Sequence, residues 1–280
     1  MGRSDVWENF RFGRIAVVDK GAWTAILLLT AVTAGAQTPT YRAPRTPDGK
    51  PDLNGIWQVL NTANWDLQGH AAGPGPLFQL GAEGAMPPGL GVVEGDQIPY
   101  LPEAASKKKQ NFAHRLELDP EVRCYLPGVP RAAYMPYPFQ IVQSDKYMFF
   151  AYQYAGATRN INMDAPKKAP IDSWMGWSNG HWEGDTLVVD VTGLNDQTWF
   201  DRAGDFHSDA LHVVERYTPR SPETMRYEAT IEDPKVFSRP WKMSMLLYRV
   251  QDDNSKLLEF KCVEFVEELM YGHLRKKTAK

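Results

Sequence analysis

The densest group of polar side chains runs from Asn195 to Asp209 and contains one histidine, His207. An imidazole has an unperturbed pKa of about 6.5, so it can both give and accept a proton near neutral pH. A neighbouring carboxylate could orient the ring, and we predict that Asp201 does so, with Asp205 and Asp209 as alternatives. The competing interpretation is that these acids bond backbone N–H groups in turns and that His207 only closes the loop.

A metal site is a second chemistry that this region could support. His207, His212 and Glu215 are of the types that bind zinc or iron. In an extended strand, however, His212 and Glu215 point to opposite faces, so at most one of them could join His207 without a bulge. We therefore predict no metal ion, and we expect no tightly bound cofactor.

Polar side chains also alternate along Arg159-Asn160-Ile161-Asn162, a row that could meet the hydroxyl or carboxylate groups of a ligand. If the face that carries Glu215 is interior, its carboxylate must be paired or protonated, and Arg159 or Arg131 could be the partner. A structural tie is the commoner role of such a pair. The predicted substrate-binding residues are Arg159, Asn162, Tyr134, Tyr137, Trp199 and Glu215.

Short aromatic or β-branched runs, separated by turn residues, supply the elements that would position these groups. Between Thr224 and Ile231 apolar and polar residues alternate, as in a strand with one buried and one wet face. The predicted strands cover 56–59, 139–143, 147–154, 158–163, 177–182, 186–191, 210–217, 224–231, 241–250 and 257–265. This series predicts an all-β fold, an antiparallel barrel or sandwich of lipocalin-like type, with one short helix over 104–115.

The N-terminal region predicts export. Ala22 to Ala36 is a short apolar run that ends in Ala-Gly-Ala, typical of a signal peptide over residues 1–36. The run is shorter than the roughly 20 residues of a membrane span. An extended leader is predicted for 37–53, and a single β-rich domain for 54–280 with an irregular insertion at about 71–138. We expect a periplasmic or secreted protein with no membrane span after cleavage.

Cys124 and Cys262 are the only cysteines of the chain. In an oxidising compartment such a pair favours a disulfide, and two buried thiols are the alternative. The formal net charge is -3, and lysines and arginines are scattered rather than clustered, so nucleic acid is not an expected partner. A small-molecule ligand or substrate is expected instead.

The stretch from Met175 to Thr218, which includes WEGDTLVVDVTGLND and HSDALHVVERYT, resembles an uncharacterised family of secreted bacterial proteins. The resemblance extends to Arg45–Trp57, Leu126–Arg131 and Glu259–Glu264 and so covers most of the mature chain. It implies export and no particular reaction. The opening Asn54-Gly55-Ile56-Trp57 is similar to the GxW entry strand of lipocalin-type calycin barrels, which implies a barrel that binds small molecules.

Two functions follow as expectations. The first is an extracytoplasmic, cofactor-independent enzyme that performs acid/base chemistry of the lyase, isomerase or hydrolase type on a small apolar or aromatic molecule. His207 would be its acid or base. The alternative is a non-catalytic lipocalin-like or carbohydrate-binding module, in which tryptophan and tyrosine side chains make the contacts.

Overall fold

Nine β-strands join edge to edge and close into a barrel in the part of the chain that the structure describes. The structure is a computed structural model, and it describes residues 41–75, 85–144, 147–252 and 254–274. The strands are β1 (Gly55–Val59), β2 (Phe139–Gln143), β3 (Met148–Tyr152), β4 (Thr158–Asn162), β5 (Trp177–Glu183), β6 (Thr186–Thr192), β7 (His212–Pro219), β8 (Thr224–Glu232) and β9 (Trp241–Arg249). The α-helices are α1 (Pro102–Ala113), α2 (Arg115–Leu118) and α3 (Val266–Tyr271). The predicted all-β barrel is therefore confirmed, and α1 is its predicted short helix.

One junction of the barrel differs from the others. β4 and β5 run parallel, whereas the other neighbouring strands are antiparallel. The parallel pair is short, with Ile161 opposite Ser178 and Asn162 opposite Asn179. Parallel strands need a crossover connection, and residues 163–176 provide it. We call this short parallel junction the seam.

The side chains of β7 alternate between the interior and the outside of the barrel, as the sequence predicts. Val213, Glu215 and Tyr217 are fully buried, whereas His212 and Arg216 are only partly buried. Large apolar side chains from the other strands fill the interior, among them Trp57, Phe139, Phe150, Tyr227, Met243 and Leu247. Each such side chain contributes about 1.5–3 kcal/mol by leaving water. The interior is thus a packed core, and the charged Glu215 lies inside it.

The polar segment 195–209 covers the end of the barrel at which β9 begins. The ring of Phe200 lies edge-on to Trp241, the first residue of β9, with the two centroids 5.7 Å apart. Trp199 and Phe206 form an isolated antiparallel bridge, which folds the segment back on itself. The segment is therefore held against a rigid scaffold.

The C-terminal region differs from the prediction. The tenth strand predicted over 257–265 is wrong, because these residues form no strand and α3 follows them. The barrel is already closed by the pairing of β9 with β1, so no free strand edge is left for this segment. A disulfide between Cys124 and Cys262 instead ties the segment to the turn after α2. Of the two alternatives for the cysteines, the disulfide is confirmed.

Part of the N-terminal prediction lies outside the described residues: the signal peptide (1–36), residues 37–40 of the leader, and 76–84 of the insertion. The described part of the leader, 41–53, forms neither strand nor helix, and it buries Leu53 completely. Within the described ranges, no helix has both the length and the apolar character needed to cross a membrane.

Candidate functional site

His207 is buried, and both of its ring nitrogens are bonded within the protein. Nδ1 lies 2.9 Å from the carbonyl oxygen of Ser208, which can only accept, so Nδ1 carries the proton. Nε2 then accepts from the hydroxyl of Thr198 at 2.6 Å. Burial lowers the pKa of His207 below its usual value, so the ring is neutral near pH 7. Five well-formed cavities lie along the described residues, and none of these five is lined by His207.

Asp201 is not bonded to His207 in the structure, which corrects the predicted contact between them. Its Oδ1 accepts from the backbone N–H of Ala203 at 2.9 Å and of Asp205 at 3.2 Å, and its Oδ2 accepts from that of Leu67 at 2.9 Å. A buried carboxylate bonds the N–H groups within its reach, and here these belong to the backbone. The carbonyl oxygen of Ser208 and the hydroxyl of Thr198, rather than Asp201, orient the imidazole.

The oxygens of Asp66, Asp201 and Asp205 lie within 4.8 Å of one another, a spacing that could hold a metal ion. Lys108 already brings a positive charge to this cluster, with its Nζ 3.0 Å from Oδ2 of Asp205. Burial and the neighbouring Asp205 raise the pKa of Asp201 well above its usual range. The Lys108 ammonium group and a proton retained on Asp201 therefore balance much of the negative charge of the three carboxyl groups.

The other set of potential metal ligands, His207, His212 and Glu215, is not assembled. His212 lies on the outer face of β7, with Nε2 2.8 Å from a carboxylate oxygen of Asp190. Glu215 lies inside the barrel. The opposite parity of the two β7 side chains separates them, as the sequence indicates.

Arg159 and Glu215 form an ion pair inside the barrel. Nη2 of Arg159 lies 2.7 Å from Oε2 of Glu215, and both side chains are almost completely buried. The hydroxyls of Tyr217 and Tyr227 donate to Oε1 of Glu215 at 3.0 and 2.9 Å, and Nη1 of Arg159 donates to the hydroxyl of Tyr152 at 3.2 Å. Both carboxylate oxygens are therefore bonded, as a buried charge requires.

The charge of Arg159 is secured by this pairing. Burial lowers the pKa of Arg159, but the Glu215 carboxylate, together with Tyr152 and Tyr217, outweighs burial and raises it well above its usual value. Arg131, the other predicted partner for Glu215, pairs instead with Asp119 at 3.1 Å and Glu121 at 2.7 Å. The Arg159–Glu215 pair thus carries no net charge.

A cavity of about 640 Å³ opens along the seam, and we call it the seam cavity. Its lining includes Arg159 and Asn162, two of the predicted substrate-binding residues. Both also bridge the seam: Nη2 of Arg159 donates to Oγ of Ser178 at 2.9 Å, and Nδ2 of Asn162 donates to Oδ1 of Asn179 at 2.9 Å. Because the strands pair so briefly, side chains rather than backbone bonds join much of this junction.

Apolar and polar residues share the wall of the seam cavity about equally. Met148, Met163, Met175 and Trp177 contribute to it, and Lys167 adds a charged group. Methionine side chains are flexible and polarisable, so they adapt to irregular ligands. Small-molecule sites usually combine an apolar wall with a few polar groups, so the seam cavity is more polar than most such sites.

Searches of the chain against protein-family models and against curated proteins find no match. A barrel alone does not distinguish an enzyme from a binding protein, since one fold supports many functions. Function depends on the site, which here is the seam cavity with the charged pair behind it.

The other predicted binding residues lie elsewhere. Tyr134 is buried and donates its hydroxyl to the carbonyl oxygen of Phe200 at 2.9 Å. Trp199 belongs to the hydrophobic core. Tyr137 lines a separate cavity of about 310 Å³ beside the C-terminal segment. The predicted set therefore divides, and Arg159 with Asn162 is the part that shares one cavity.

Sequence reasoning missed Ser178, although Gly176-Trp177-Ser178-Asn179-Gly180 matches the G-x-S-x-G pattern of hydrolase nucleophiles. That pattern acts at a sharp turn between a strand and a helix, whereas Ser178 lies within β5. Its Oγ accepts from Nε and Nη2 of Arg159, at 3.3 and 2.9 Å, and no histidine of the described residues is bonded to it. Ser178 is therefore a residue of the seam and lacks the base that would activate a nucleophile.

Proposed function

We propose that this protein is an extracytoplasmic binding protein that takes a small molecule into the seam cavity. The observation that carries the proposal is the meeting of Arg159 and Asn162 in one cavity of about 640 Å³. Pockets for small molecules commonly measure about 300–1,000 Å³ and combine an apolar wall with a few fixed polar groups. The seam cavity has such a volume, and its lining is divided about equally between apolar and polar residues.

The polar side of the cavity is already ordered without a ligand. Arg159 is held by Glu215, Tyr152 and Ser178, so little rotamer freedom remains to be lost when a ligand contacts it. Preorganisation of this kind improves affinity, because the conformational entropy of the side chain is lost on folding rather than on binding.

The Cys124–Cys262 disulfide supports the extracytoplasmic part of the proposal, since disulfides persist in oxidising compartments. Membership of the secreted bacterial family that the sequence resembles belongs to the same proposal.

Acid/base catalysis by His207 stays a prediction from the sequence. His207 is buried, both of its ring nitrogens are bonded, and it lines none of the five cavities. The binding alternative is therefore the function that the geometry supports better. A turnover assay in which His207→Ala lowers the rate far more than the affinity would favour the enzyme instead.

The experiment is a thermal-shift screen of a metabolite library on the exported form of the protein. Ligands that bind the folded state raise its stability by about 2.7 kcal/mol at a hundred times Kd. Asn160 is exposed and lines the cavity, so Asn160→Trp should block it and abolish the shift. Val142 and Asn160 are both exposed, and they flank the same residue, Phe149, on the two neighbouring strands. Val142 lines none of the five cavities. Val142→Trp is therefore the matched control and should keep the shift.

A shift that survives in Asn160→Trp as strongly as in Val142→Trp would place the ligand elsewhere and refute the proposal. The absence of a shift with any compound of a broad library would count against a binding function altogether.

A further inference from the structure

Part of the seam cavity is lined by side chains that point out of the barrel on one common face. In β4, Thr158, Asn160 and Asn162 alternate with two buried residues and therefore face outward. In β5, Trp177 and Asn179 alternate with buried residues in the same way. Asn162 stands opposite Asn179 in the parallel pair, so the outward side chains of both strands share one face. We call the four of these residues that line the seam cavity its floor: Thr158, Asn160, Asn162 and Trp177.

Two amides of this face hold the crossover 163–176 beside the floor. Nδ2 of Asn162 donates to the carbonyl oxygen of Ala165 at 3.2 Å and to Oδ1 of Asn179 at 2.9 Å. The same Oδ1 accepts from the backbone N–H of Lys167 at 3.0 Å, and Nδ2 of Asn179 donates to the Lys167 carbonyl oxygen at 2.9 Å. The cavity thus lies between an ordered sheet face and a connection that is bonded to it.

The floor offers both donors and acceptors that no described residue uses. The indole N–H of Trp177 is buried and has no acceptor. Both hydrogens on Nδ2 of Asn162 are engaged, so its Oδ1 is left as an acceptor. The exposed side chains of Asn160 and Thr158 can each donate and accept, and no described side chain bonds to them. A ligand that pairs with the whole floor must therefore both donate and accept.

Hydroxyl groups have this property, since each donates one hydrogen bond and accepts through two lone pairs. A ketone, an ester or a carboxylate only accepts, and it would leave Oδ1 of Asn162 without a donor. An ammonium group only donates, and it would leave the buried N–H of Trp177 unpaired, which is unfavourable. The mixture of donors and acceptors thus favours a ligand rich in hydroxyl groups.

Aromatic side chains at the same cavity distinguish a sugar from an open-chain polyol. Tyr147 is 74% exposed and lines the cavity, as Trp177 does. A sugar ring carries hydroxyls along its edge and apolar C–H groups on its faces, so it needs polar groups and a flat apolar surface together. Tyrosine and tryptophan supply such a surface with a polar tip. The nearly equal division of the lining between apolar and polar residues fits the same kind of ligand.

We infer that the ligand of the seam cavity is a short carbohydrate. Its hydroxyls bond the Trp177 N–H and the amides of Asn160 and Asn162, and a C–H face of the sugar lies against Tyr147. This inference rests on the proposed binding function and specifies its ligand class.

The test compares two panels of probes by titration calorimetry on the exported, disulfide-bonded protein. One panel contains disaccharides and trisaccharides of glucose, galactose, mannose, xylose and N-acetylglucosamine. The other contains medium-chain fatty acids and aromatic ketones, which have no alcohol hydroxyls. We expect at least one saccharide to bind about tenfold or more tighter than any member of the second panel, because a ligand without hydroxyls leaves the floor unpaired. Binding of the second panel alone, or as tightly as the saccharides, overturns the inference and leaves the binding function standing. Failure of both panels overturns the proposed function and the inference together.

Variants of the floor locate the bound saccharide. Trp177→Phe keeps an aromatic ring and removes the N–H, so it should weaken binding about three- to tenfold, the range expected for one neutral hydrogen bond. Trp182 lies on the same strand outside the cavity lining, so Trp182→Phe is the control and should not change the affinity.

The exposed Asn160 gives a second variant that does not disturb the core. Asn160→Ala leaves the cavity open and removes one amide, so it should weaken the saccharide by a similar factor. Val142→Ala, on the other side of Phe149, is its control and should bind as the unaltered protein does. Unchanged saccharide affinity in both Trp177→Phe and Asn160→Ala would mean that the sugar binds away from the floor, and the inference would be wrong.

Discussion

Nη2 of Arg159 lies 2.7 Å from Oε2 of Glu215 and joins β4 to β7 across the interior of the barrel. The same guanidinium donates to Ser178 on β5. One side chain thus links the weakly paired seam to a distant wall. This arrangement explains how a junction with so little backbone pairing stays closed. The ion pair is a structural tie, and its Arg159 also lines the seam cavity.

Removing one partner of this pair should lower the free energy of unfolding strongly, whereas replacing both partners should lower it little. Arg159→Met or Glu215→Leu leaves one buried charge alone, and each should lower the free energy of unfolding by about 3–5 kcal/mol. The double variant should lose much less unfolding free energy than the two single variants lose together. Urea unfolding of the four proteins gives the coupling energy.

The exposed pair Arg45–Asp185, also 2.7 Å apart, is the control for that cycle. Arg45→Met should cost at most about 1 kcal/mol, because exposed ion pairs contribute little. If the losses of unfolding free energy in the Arg159 and Glu215 variants were strictly additive, the two side chains would not stabilise the barrel through their interaction.

His207 should make the protein less stable in acid. Burial lowers its folded-state pKa, so below about pH 6.5 the unfolded chain binds the proton more readily than the folded chain. The stabilisation is fully present above the unfolded pKa and is lost as the pH falls through the folded pKa. His207→Gln should therefore reduce the loss of unfolding free energy between pH 7 and pH 5. His114 is exposed, so His114→Gln should leave the loss intact. Parallel pH profiles of His207→Gln and the unaltered protein would disprove this linkage.

His212 should show the opposite pH dependence. Burial lowers its pKa, but Asp190 at 2.8 Å and Glu232 at 3.3 Å outweigh burial and raise it. Its contribution is therefore present below the unfolded pKa and is lost as the pH rises through the folded pKa. His212→Gln should destabilise the protein at pH 5.5 and have little effect at pH 9. The side chain is about one third exposed, so the effect should stay below about 1 kcal/mol. A loss of equal size at both pH values would show that His212 acts through packing alone.

Local sequence patterns predict the strands well and the site only partly. The alternation that places Glu215 and His212 on opposite faces is a property of one strand, and the structure confirms it, with Glu215 on the buried face. The bond from the backbone of Leu67 to Asp201 joins residues 134 positions apart, and no local pattern predicts it. The seam is equally non-local, because it depends on a crossover that brings β4 beside β5 in parallel. Residues 257–265 have a strand-like composition, but the closed barrel leaves them no edge to pair with.

The disulfide should stabilise the barrel although it lies outside the strands. Cys124 and Cys262 are separated by 138 positions, so their bond restricts a large part of the unfolded chain. The double variant Cys124→Ser/Cys262→Ser should lower the free energy of unfolding by about 2–4 kcal/mol. A reducing agent should lower the stability of the unaltered protein by a similar amount and should not affect the double variant. The comparison separates the bond from the side chains, since reduction leaves both cysteines in place. If the double variant were as stable as the oxidised protein, the C-terminal segment would be held by its other contacts, such as the 2.8 Å bond from the Phe265 N–H to the Val122 carbonyl oxygen.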